Sequence, residues 1–241
     1  MLNSIRVKFI RGEEVKFISH LDLMKAFERA LRRSGIPVAY SQGFNPHPVM
    51  VFGLPLSVGV TSEAEYADFD LAEAVEPDEF VERLNAQLPP GLKIVDARKR
   101  QRKENIMASV VMASYDVLVS VDGKWGIDEM AASIEQLMQK PVIMAKKETK
   151  SGVKDVDIKP MIRRLEVKAA EELADEHCGC QRLYHLFMLL SAGSKSNLKP
   201  ELLLGALNDL TGLGLKIRKV HRTGLFVGKE EKVVDPLDAC S

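Results

Sequence analysis

The chain has 241 residues, which is enough for one large domain or two ordinary domains. Lysine and arginine total 34 and aspartate and glutamate total 34, so no overall charge attracts the protein to nucleic acid or to a membrane. No apolar run reaches the roughly 18–20 residues of a membrane helix, and residues 1–11 lack the apolar core of a signal peptide. Three late cysteines favour a reducing compartment. The composition therefore predicts a cytoplasmic protein that does not enter membranes.

Residues 1–100 predict the order strand, helix, strand, strand, helix, strand. Alternating apolar residues indicate a strand at 5–10, which residues 15–18 continue or follow as a short hairpin arm. A helix then runs from Ser19 to Ser34, because Ser19 and Asp22 resemble a capping box and Gly35 is a typical helix stop. The remaining predicted elements of this half are strands at 36–40, 64–71 and 92–95 and a helix that begins at Pro77.

The second half repeats this order after a basic run, residues 98–103, which we take as the domain boundary. The predicted elements are strands at 115–121, 142–147, 183–190 and 215–220 and helices at 127–138 and 200–210. The sequence therefore predicts an α+β fold of two tandem split-βαβ (ferredoxin-like) units, each an antiparallel sheet with helices on one face. The predicted domains are 1–100 and 113–241, joined by a basic linker at 101–112, with an insertion near 150–182.

A loop of about 20 residues, 41–62, is unusually long for a compact domain, and loops of this length are often functional. Prolines on both sides of His47 make the backbone in this part of the loop stiff and extended. The loop either packs Phe44 and Phe52 on the core, or contacts a ligand or RNA, or takes part in catalysis. The candidate ligand loop consists of Tyr40, Ser41, Gln42, Gly43, Phe44, Asn45, Pro46 and His47.

Basic residues at helical spacing line one side of the first predicted helix and could follow a phosphate backbone. The basic run at the domain boundary would extend that surface, although charged stripes are also common on merely solvated helix faces. The candidate RNA-binding residues are Lys25, Arg29, Arg32, Arg33, Arg98, Arg100 and Arg102. The predicted strands do not carry the paired aromatic residues with which common RNA-binding sheets stack bases.

Two histidines are candidate catalytic residues, because imidazole titrates near neutral pH. His20 lies at the start of the first helix and His47 lies in the ligand loop. The helical wheel points His20 toward the apolar side, so anchoring the helix start is the alternative role. No motif places a nucleophile beside either histidine.

Cysteine and histidine spacing argues against a metal site. His177, Cys178 and Cys180, with Cys240, supply soft ligands, but their spacing is not that of a zinc knuckle. The chain also lacks the three-cysteine cluster of a radical-SAM iron–sulfur centre, a P-loop and a dinucleotide fingerprint. The sequence therefore predicts no cofactor and excludes a redox or radical enzyme.

Several motifs resemble those of the radical-SAM-linked protein family. The matching stretches are 17–22 (Phe-Ile-Ser-His-Leu-Asp), 29–33 (Arg-Ala-Leu-Arg-Arg), 40–48 (Tyr-Ser-Gln-Gly-Phe-Asn-Pro-His-Pro) and 53–56 (Gly-Leu-Pro-Leu), continued by Gly59, Glu63, Glu65 and Tyr66. The resemblance extends over residues 3–100 and reappears in the second half at 157–160 and 222–226.

This resemblance implies a partner rather than a reaction. The family is often encoded beside, or fused to, a radical-SAM protein with a cobalamin-binding-type domain, near ribosomal-protein and RNase G genes, and has no assigned activity. We therefore expect a non-catalytic partner of a radical-SAM protein that binds RNA or a ribonucleoprotein. The alternatives are a module that binds only the radical-SAM protein, and a metal-independent RNA-processing enzyme that uses His20 or His47.

Overall fold

The computed structural model describes residues 3–101, 104–122, 125–149, 152–173, 181–229 and 232–240. It is a mixed α+β fold dominated by a large, mostly antiparallel sheet. The chain divides into two compact units. Unit 1 comprises Met1–Met112 and Arg222–Ser241, and unit 2 comprises Ala113–His221. No helix of the described ranges is both long enough and apolar enough to span a bilayer.

The described residues form helices and strands in both halves of the chain. The elements of the first half are β1 (Ser4–Arg11), α1 (His20–Ser34), β2 (Met50–Phe52), β3 (Thr61–Asp70), α2 (Pro77–Asn85), β4 (Leu92–Lys99) and α3 (Ile106–Ser109). Those of the second half are β5 (Val110–Asp122), α4 (Ile127–Gln139), β6 (Met144–Thr149), β7 (Gly152–Asp157), β8 (Ile162–Leu173), β9 (Gln181–Ser191), α5 (Pro200–Thr211), β10 (Lys216–Lys229) and β11 (Lys232–Val234). Short 3₁₀ turns lie at Glu13–Val15, Lys159–Met161 and Asp238–Cys240.

In unit 1, β1 lies between β3 and β4 and is antiparallel to both. Strand β3 also pairs with β2 and β10, and β11 pairs with β10. The alternation predicted for β1 is confirmed, because Val7 and Phe9 are buried in a core that also contains Phe27 of α1 and Phe80 of α2. This side of the sheet therefore carries both long helices of unit 1.

Helix α1 begins and ends as its sequence predicts. Ser19 is the N-cap, and its Oγ accepts a hydrogen bond of 3.1 Å from the backbone N–H of Asp22. Gly35 ends the helix with a φ of 64°, a left-handed conformation that glycine adopts without strain. The buried face consists of Leu23, Phe27, Ala30 and Leu31, as the helical wheel predicts.

Three predictions for the first half differ from the structure. Residues 15–18 continue no strand, and Val15 ends a 3₁₀ turn. Residues 36–40 make only isolated bridges, at Val38 and Tyr40. The strand between α1 and β3 is instead β2, inside the predicted loop, because Met50 and Phe52 pair with β3 and Phe52 enters the core.

In unit 2 the strand order is β10, β5, β9, β8. Helices α4 and α5 contact each other, and α4 packs on β8. Among the described residues, strands β6 and β7 pair only with each other. The prediction that 142–147 forms a core strand is therefore wrong. Strand β8, inside the predicted insertion at 150–182, takes that place because its buried Leu165 lies opposite Met188 of β9.

The domain boundaries also differ from those predicted. Residues 222–241 belong to unit 1 rather than to the second domain, because β10 continues past His221 and Arg222 forms an ion pair with Glu65 of β3. The predicted linker, 101–112, is partly structured. It contains α3, whose Ile106 is fully buried.

Candidate functional site

The candidate ligand loop is a short hairpin, residues 39–49, which we call the hairpin loop. Its two arms are joined by backbone hydrogen bonds from Val49 N to the Ala39 carbonyl (2.8 Å) and from Ser41 N to the His47 carbonyl (2.9 Å). Tyr40 and Pro48 form a bridge between these bonds. The stiffness predicted from the two prolines is therefore supplemented by backbone hydrogen bonds between the two arms of the loop.

The tip of the hairpin loop projects into solvent. Phe44 is fully exposed, with a relative exposure of 106%, whereas Phe52 is buried at 5%. The alternative in which both phenylalanines pack on the core therefore holds for Phe52 and is wrong for Phe44. Gly43, next to Phe44, has a φ of 147° that favours glycine. Ser41 Oγ accepts a hydrogen bond of 3.2 Å from the backbone N–H of His47.

A charge-free stretch surrounds the hairpin loop, and we call it the uncharged segment. Residues 34–62 contain no Asp, Glu, Lys or Arg, although these four types make up 28% of the chain. Many of its residues are nevertheless exposed, including Tyr40, Phe44 and Val58. Exposed backbone usually carries charged side chains, so this depletion is the sequence signal that marks the surface.

His20 lies half-buried at the start of α1. Its ring meets the ring of Phe52 edge-on, with 5.5 Å between centroids. Burial, together with the nearby Arg11 cation, lowers the pKa of His20 below the usual value of 6.5, and Glu65 opposes that shift. His20 is therefore a neutral imidazole at pH 7.

Arg11 holds the segment that precedes His20. Its buried guanidinium donates hydrogen bonds to the carbonyls of Lys16 (3.1 Å) and Ile18 (2.6 Å) and, at 3.4 Å, to the carbonyl of Leu56. The same charged layer contains Arg222, whose Nη1 lies 2.9 Å from Glu65 Oε1. Sequence reasoning missed this layer, although charged residues inside otherwise apolar strands are a signal for it.

The two candidate catalytic histidines lie in separate environments. His47 Nδ1 lies 3.1 Å from Ser41 Oγ and 3.3 Å from the Asn45 carbonyl, so its contacts stay within the exposed hairpin loop. His20 contacts Phe52 and lies near Arg11. No contact between the two histidines occurs among the described residues, so they do not form an acid–base pair in this structure.

The basic residues of α1 divide into two groups. Lys25, Arg29 and Arg32 are exposed, and Arg32 makes only a loose ion pair of 3.6 Å with Glu28. Arg33 instead donates to the Gln87 carbonyl at 2.6 Å and to its side-chain oxygen at 3.2 Å. We call Lys25, Arg29 and Arg32 the basic stripe.

The basic residues near the domain boundary have acceptors within unit 1. Arg98 forms an ion pair of 3.0 Å with Asp238. Arg100 donates to Ser4 Oγ (2.9 Å) and to the Glu104 carbonyl (2.7 Å), and its side chain is 9% exposed. Arg102 lies outside the described residues. The described part of this cluster is therefore engaged in holding β4 to its neighbours.

A second buried charged layer lies on the other side of the unit 1 sheet, and sequence reasoning missed it too. Arg6 donates to both carboxylate oxygens of Asp68, at 2.6 and 2.9 Å, and to the Pro236 carbonyl at 3.1 Å. The Tyr66 hydroxyl donates to Asp235 Oδ2 at 2.6 Å. Burial and this hydrogen bond raise the pKa of Tyr66, so it stays protonated as a donor.

The cysteine candidates offer no metal centre in the described part of the chain. His177, Cys178 and Cys180 lie outside the described residues. Cys240 is buried, and burial raises the pKa of its thiol, which disfavours the thiolate that metals bind. Within the described ranges, no group of three or more His, Cys, Asp and Glu side chains is arranged to hold a metal ion.

Solved structures resemble this chain only distantly. A Cbf5-Nop10-Gar1 complex matches with 13% identity over 92% of this chain and 48% of the other, at a TM-score of 0.46. An archaeal box H/ACA sRNP Nop10-Cbf5 complex matches with 10% identity over 92% and 47%, at 0.44. A heme-bound variant of DypB from Rhodococcus jostii RHA1 matches with 9% identity over 99% and 95%, at 0.22.

The chain spans about half the length of the first two of these solved chains. All three TM-scores lie below 0.5, so these similarities support no conclusion about fold or function. No curated protein matches the chain. A family profile described as "uncharacterized protein conserved in bacteria (DUF2344)" matches residues 4–200, and the chain therefore belongs to this bacterial family.

Proposed function

We propose that this protein is a non-catalytic cytoplasmic partner of a radical-SAM protein, on which it docks through the hairpin loop. One observation carries the proposal: the fully exposed Phe44 lies at the tip of a hydrogen-bonded hairpin within the uncharged segment. The radical-SAM identity of the partner rests on the sequence resemblance, above all on residues 17–22 and 40–48.

The composition of the hairpin loop suits a protein interface. Interface centres are depleted of charged residues and enriched in aromatic ones, and a few such residues carry most of the binding energy. Phe44 and the partly exposed Tyr40 are the aromatic residues of this loop. Because backbone hydrogen bonds and two prolines already fix the loop, binding loses little conformational entropy.

The test is a binding titration between the purified protein and the radical-SAM protein encoded in the same genome. Phe44→Ser should weaken the complex about 30-fold or more, because a buried aromatic anchor typically contributes about 2 kcal/mol or more. Isothermal titration calorimetry measures the change in Kd.

Phe17→Ser is the matched control, since Phe17 is 73% exposed and lies outside the hairpin loop. It should leave the Kd within about twofold, because residues outside an interface contribute little to its binding energy. Absence of a complex between the wild-type proteins, or equal effects of the two substitutions, would overturn the proposal.

A second candidate function is binding of RNA or a ribonucleoprotein through the basic stripe. The observation that favours it is the exposure of Lys25, Arg29 and Arg32 at helical spacing. Replacing all three with Glu should abolish RNA retention in filter binding at low salt and flatten its salt dependence. Unchanged retention would remove the basic stripe from this role.

The third alternative, an RNA-processing enzyme, receives less support. Catalysis by a single histidine typically contributes about 10²–10⁴-fold, so His20→Ala or His47→Ala should cause a loss of that order in RNA cleavage. The separate surroundings of His20 and His47 favour the docking role of the hairpin loop over a shared catalytic role.

The element order supports a tandem split-βαβ arrangement as part of this proposal. In unit 1 the order is β1, α1, β2, β3, α2, β4. In unit 2 it is β5, α4, β8, β9, α5, β10, with the hairpin of β6 and β7 inserted after α4. Each order is strand, helix, strand, strand, helix, strand, and β1 and β5 each lie between two neighbouring strands.

A further inference from the structure

Strand β9 presents two chemically different rows of side chains. Tyr184, Leu186 and Met188 are completely buried in the core of unit 2. Between them, His185 and Phe187 are only partly buried and point to the opposite face of the sheet. Helices α4 and α5 bury Ile134, Leu203 and other apolar side chains, and α4 packs on β8. The face that carries His185 and Phe187 is therefore the one that the core does not use.

Two cations lie over the ring of Phe187. Lys168 Nζ is 4.5 Å from the ring centroid, and Arg164 Cζ is 5.4 Å from it. Both come from the neighbouring strand β8, and both are exposed. Arg164 also forms an ion pair of 2.6 Å with Glu166, which orients its guanidinium.

His185 lies two residues from Phe187 along the same face. Its Nδ1 is 3.3 Å from Asp116 Oδ1 of strand β5, with the two side chains 33% and 37% exposed. Carboxylates orient imidazole rings in this way, so His185 presents a fixed flat ring beside Phe187. Strand β9 thus carries a phenyl ring and an imidazole ring, and the neighbouring edge strand β8 carries Arg164 and Lys168 on the same face, with Glu166 directly opposite Phe187.

We propose that this face of unit 2 binds single-stranded nucleic acid. An unpaired base would stack on Phe187 with His185 beside it, and Lys168 would meet a flanking phosphate, while Arg164 stays paired with Glu166. Rings on an open sheet face next to cations are the two requirements of single-strand recognition, because every base has a π-face and every nucleotide a negative charge.

The lysine over Phe187 is compatible with a base at that position. Lys168 has a long, exposed side chain, and cation–π contacts at exposed sites are weaker than the stacking of a base on an aromatic ring. A base can therefore replace Nζ over the ring, while the displaced ammonium moves to a phosphate. Duplex nucleic acid does not fit this mode, since its bases are already stacked on each other.

This inference does not depend on the docking function proposed for the hairpin loop, which lies in unit 1. It also differs from the basic stripe of α1, where cations occur without an aromatic platform. The sequence predicts no paired aromatic residues on its strands. His185 and Phe187 lie within the long apolar strand 183–190, where neighbouring apolar residues mask their shared face.

The test is fluorescence anisotropy of the full-length protein with labelled uridine and deoxythymidine oligonucleotides over a series of salt concentrations. The wild-type protein should bind both oligonucleotides at low salt. The ratio of the two affinities shows whether RNA or DNA is the preferred single strand. Phe187→Leu keeps an apolar side chain but removes the π-face, and it should weaken binding about tenfold. Phe187→Tyr should retain the affinity.

Lys168→Gln should reduce the slope of log affinity against log salt by about 0.7, the contribution of one phosphate contact on a single strand. Phe17→Leu changes an exposed phenylalanine outside both surfaces in the same way, so it is the matched control and should leave the oligonucleotide affinity unchanged. Photocrosslinking of the wild-type protein to a 4-thiouridine oligonucleotide needs no substitution, and it should label the β9 peptide that contains His185 and Phe187. Absence of binding at low salt, an unchanged affinity in Phe187→Leu, or crosslinks only to other peptides would overturn the inference.

Discussion

The arginines of the unit 1 strands and the cations of the basic stripe carry the same charge in opposite surroundings. Arg6 is 4% exposed against an Asp68 that is 2% exposed, and Arg222 is 3% exposed against a Glu65 that is 6% exposed. Lys25 and Arg29 lie in solvent on α1. A buried guanidinium must have its donors met within the fold, whereas an exposed one can exchange water for an external anion. Positive charge in the sequence therefore marks stability at one position and an available surface at the other.

The largest effect expected from this contrast concerns stability. Arg6→Ala leaves the buried Asp68 carboxylate without its bidentate partner and should lower the free energy of unfolding by about 3–5 kcal/mol. Arg29→Ala should change it by less than about 0.5 kcal/mol. Urea denaturation followed by circular dichroism measures both. Similar losses in the two variants would show that the contrast between buried and exposed cations is false.

A double-mutant cycle sharpens the same contrast at the Arg222–Glu65 pair. Arg222→Met and Glu65→Leu should each destabilise strongly, because each leaves the other charge buried and uncompensated. The double variant should be more stable than additivity predicts, with a coupling of about 1–3 kcal/mol. Strictly additive losses in urea denaturation would mean that the two side chains do not act as a pair.

A smaller effect distinguishes the Ser19 cap from the buried Arg11, which both hold the start of α1. Ser19→Ala removes the side-chain acceptor of the Asp22 N–H and should cost about 1 kcal/mol. Ser19→Asp supplies another acceptor and should restore most of that stability. Arg11→Ala should lower the free energy of unfolding by more than Ser19→Ala does, as measured by urea denaturation. Equal losses in the two variants would contradict the larger role of the buried arginine.

The smallest effect is a pH dependence at His20. Its pKa is lowered by burial, so the unfolded chain binds a proton more readily than the folded chain does. Stability should therefore decline as the pH falls below about 6.5, the unfolded-state value, and the decline should end below the folded-state pKa. His20→Gln should show a shallower decline in Tm over that range. A steeper decline in the variant would contradict the assigned direction.

The local elements of unit 1 were predictable from nearby residues. Helix α1 follows from its Ser19 cap, its apolar face and Gly35, and α2 follows from Pro77 and Phe80. These signals act over one or two helical turns, so they do not depend on distant parts of the chain.

Strand partners were less predictable. Strand β8 displaces β6 from the main sheet because its buried residues match those of β9, a match between segments about 20 residues apart. Strand β10 was predicted to end near Val220 but continues to Lys229, and its residues from Arg222 onward belong to unit 1. Pairing of this kind is decided by which strands bury each other's apolar faces, and local propensity does not contain that information.

The candidate surfaces also combine features that nearby residues determine with features that depend on distant segments. The sequence by itself determined the stiffness of the 40–48 segment, the charge depletion around it and the helical spacing of the basic stripe, because these are properties of neighbouring residues. Only the tertiary structure decided that Phe44 is exposed and that Arg33, Arg98 and Arg100 are engaged within the fold. Only it decided, too, that Phe187 lies beneath Lys168 on an accessible face. Exposure and ion pairing depend on which distant segments meet, and the folded chain alone brings them together.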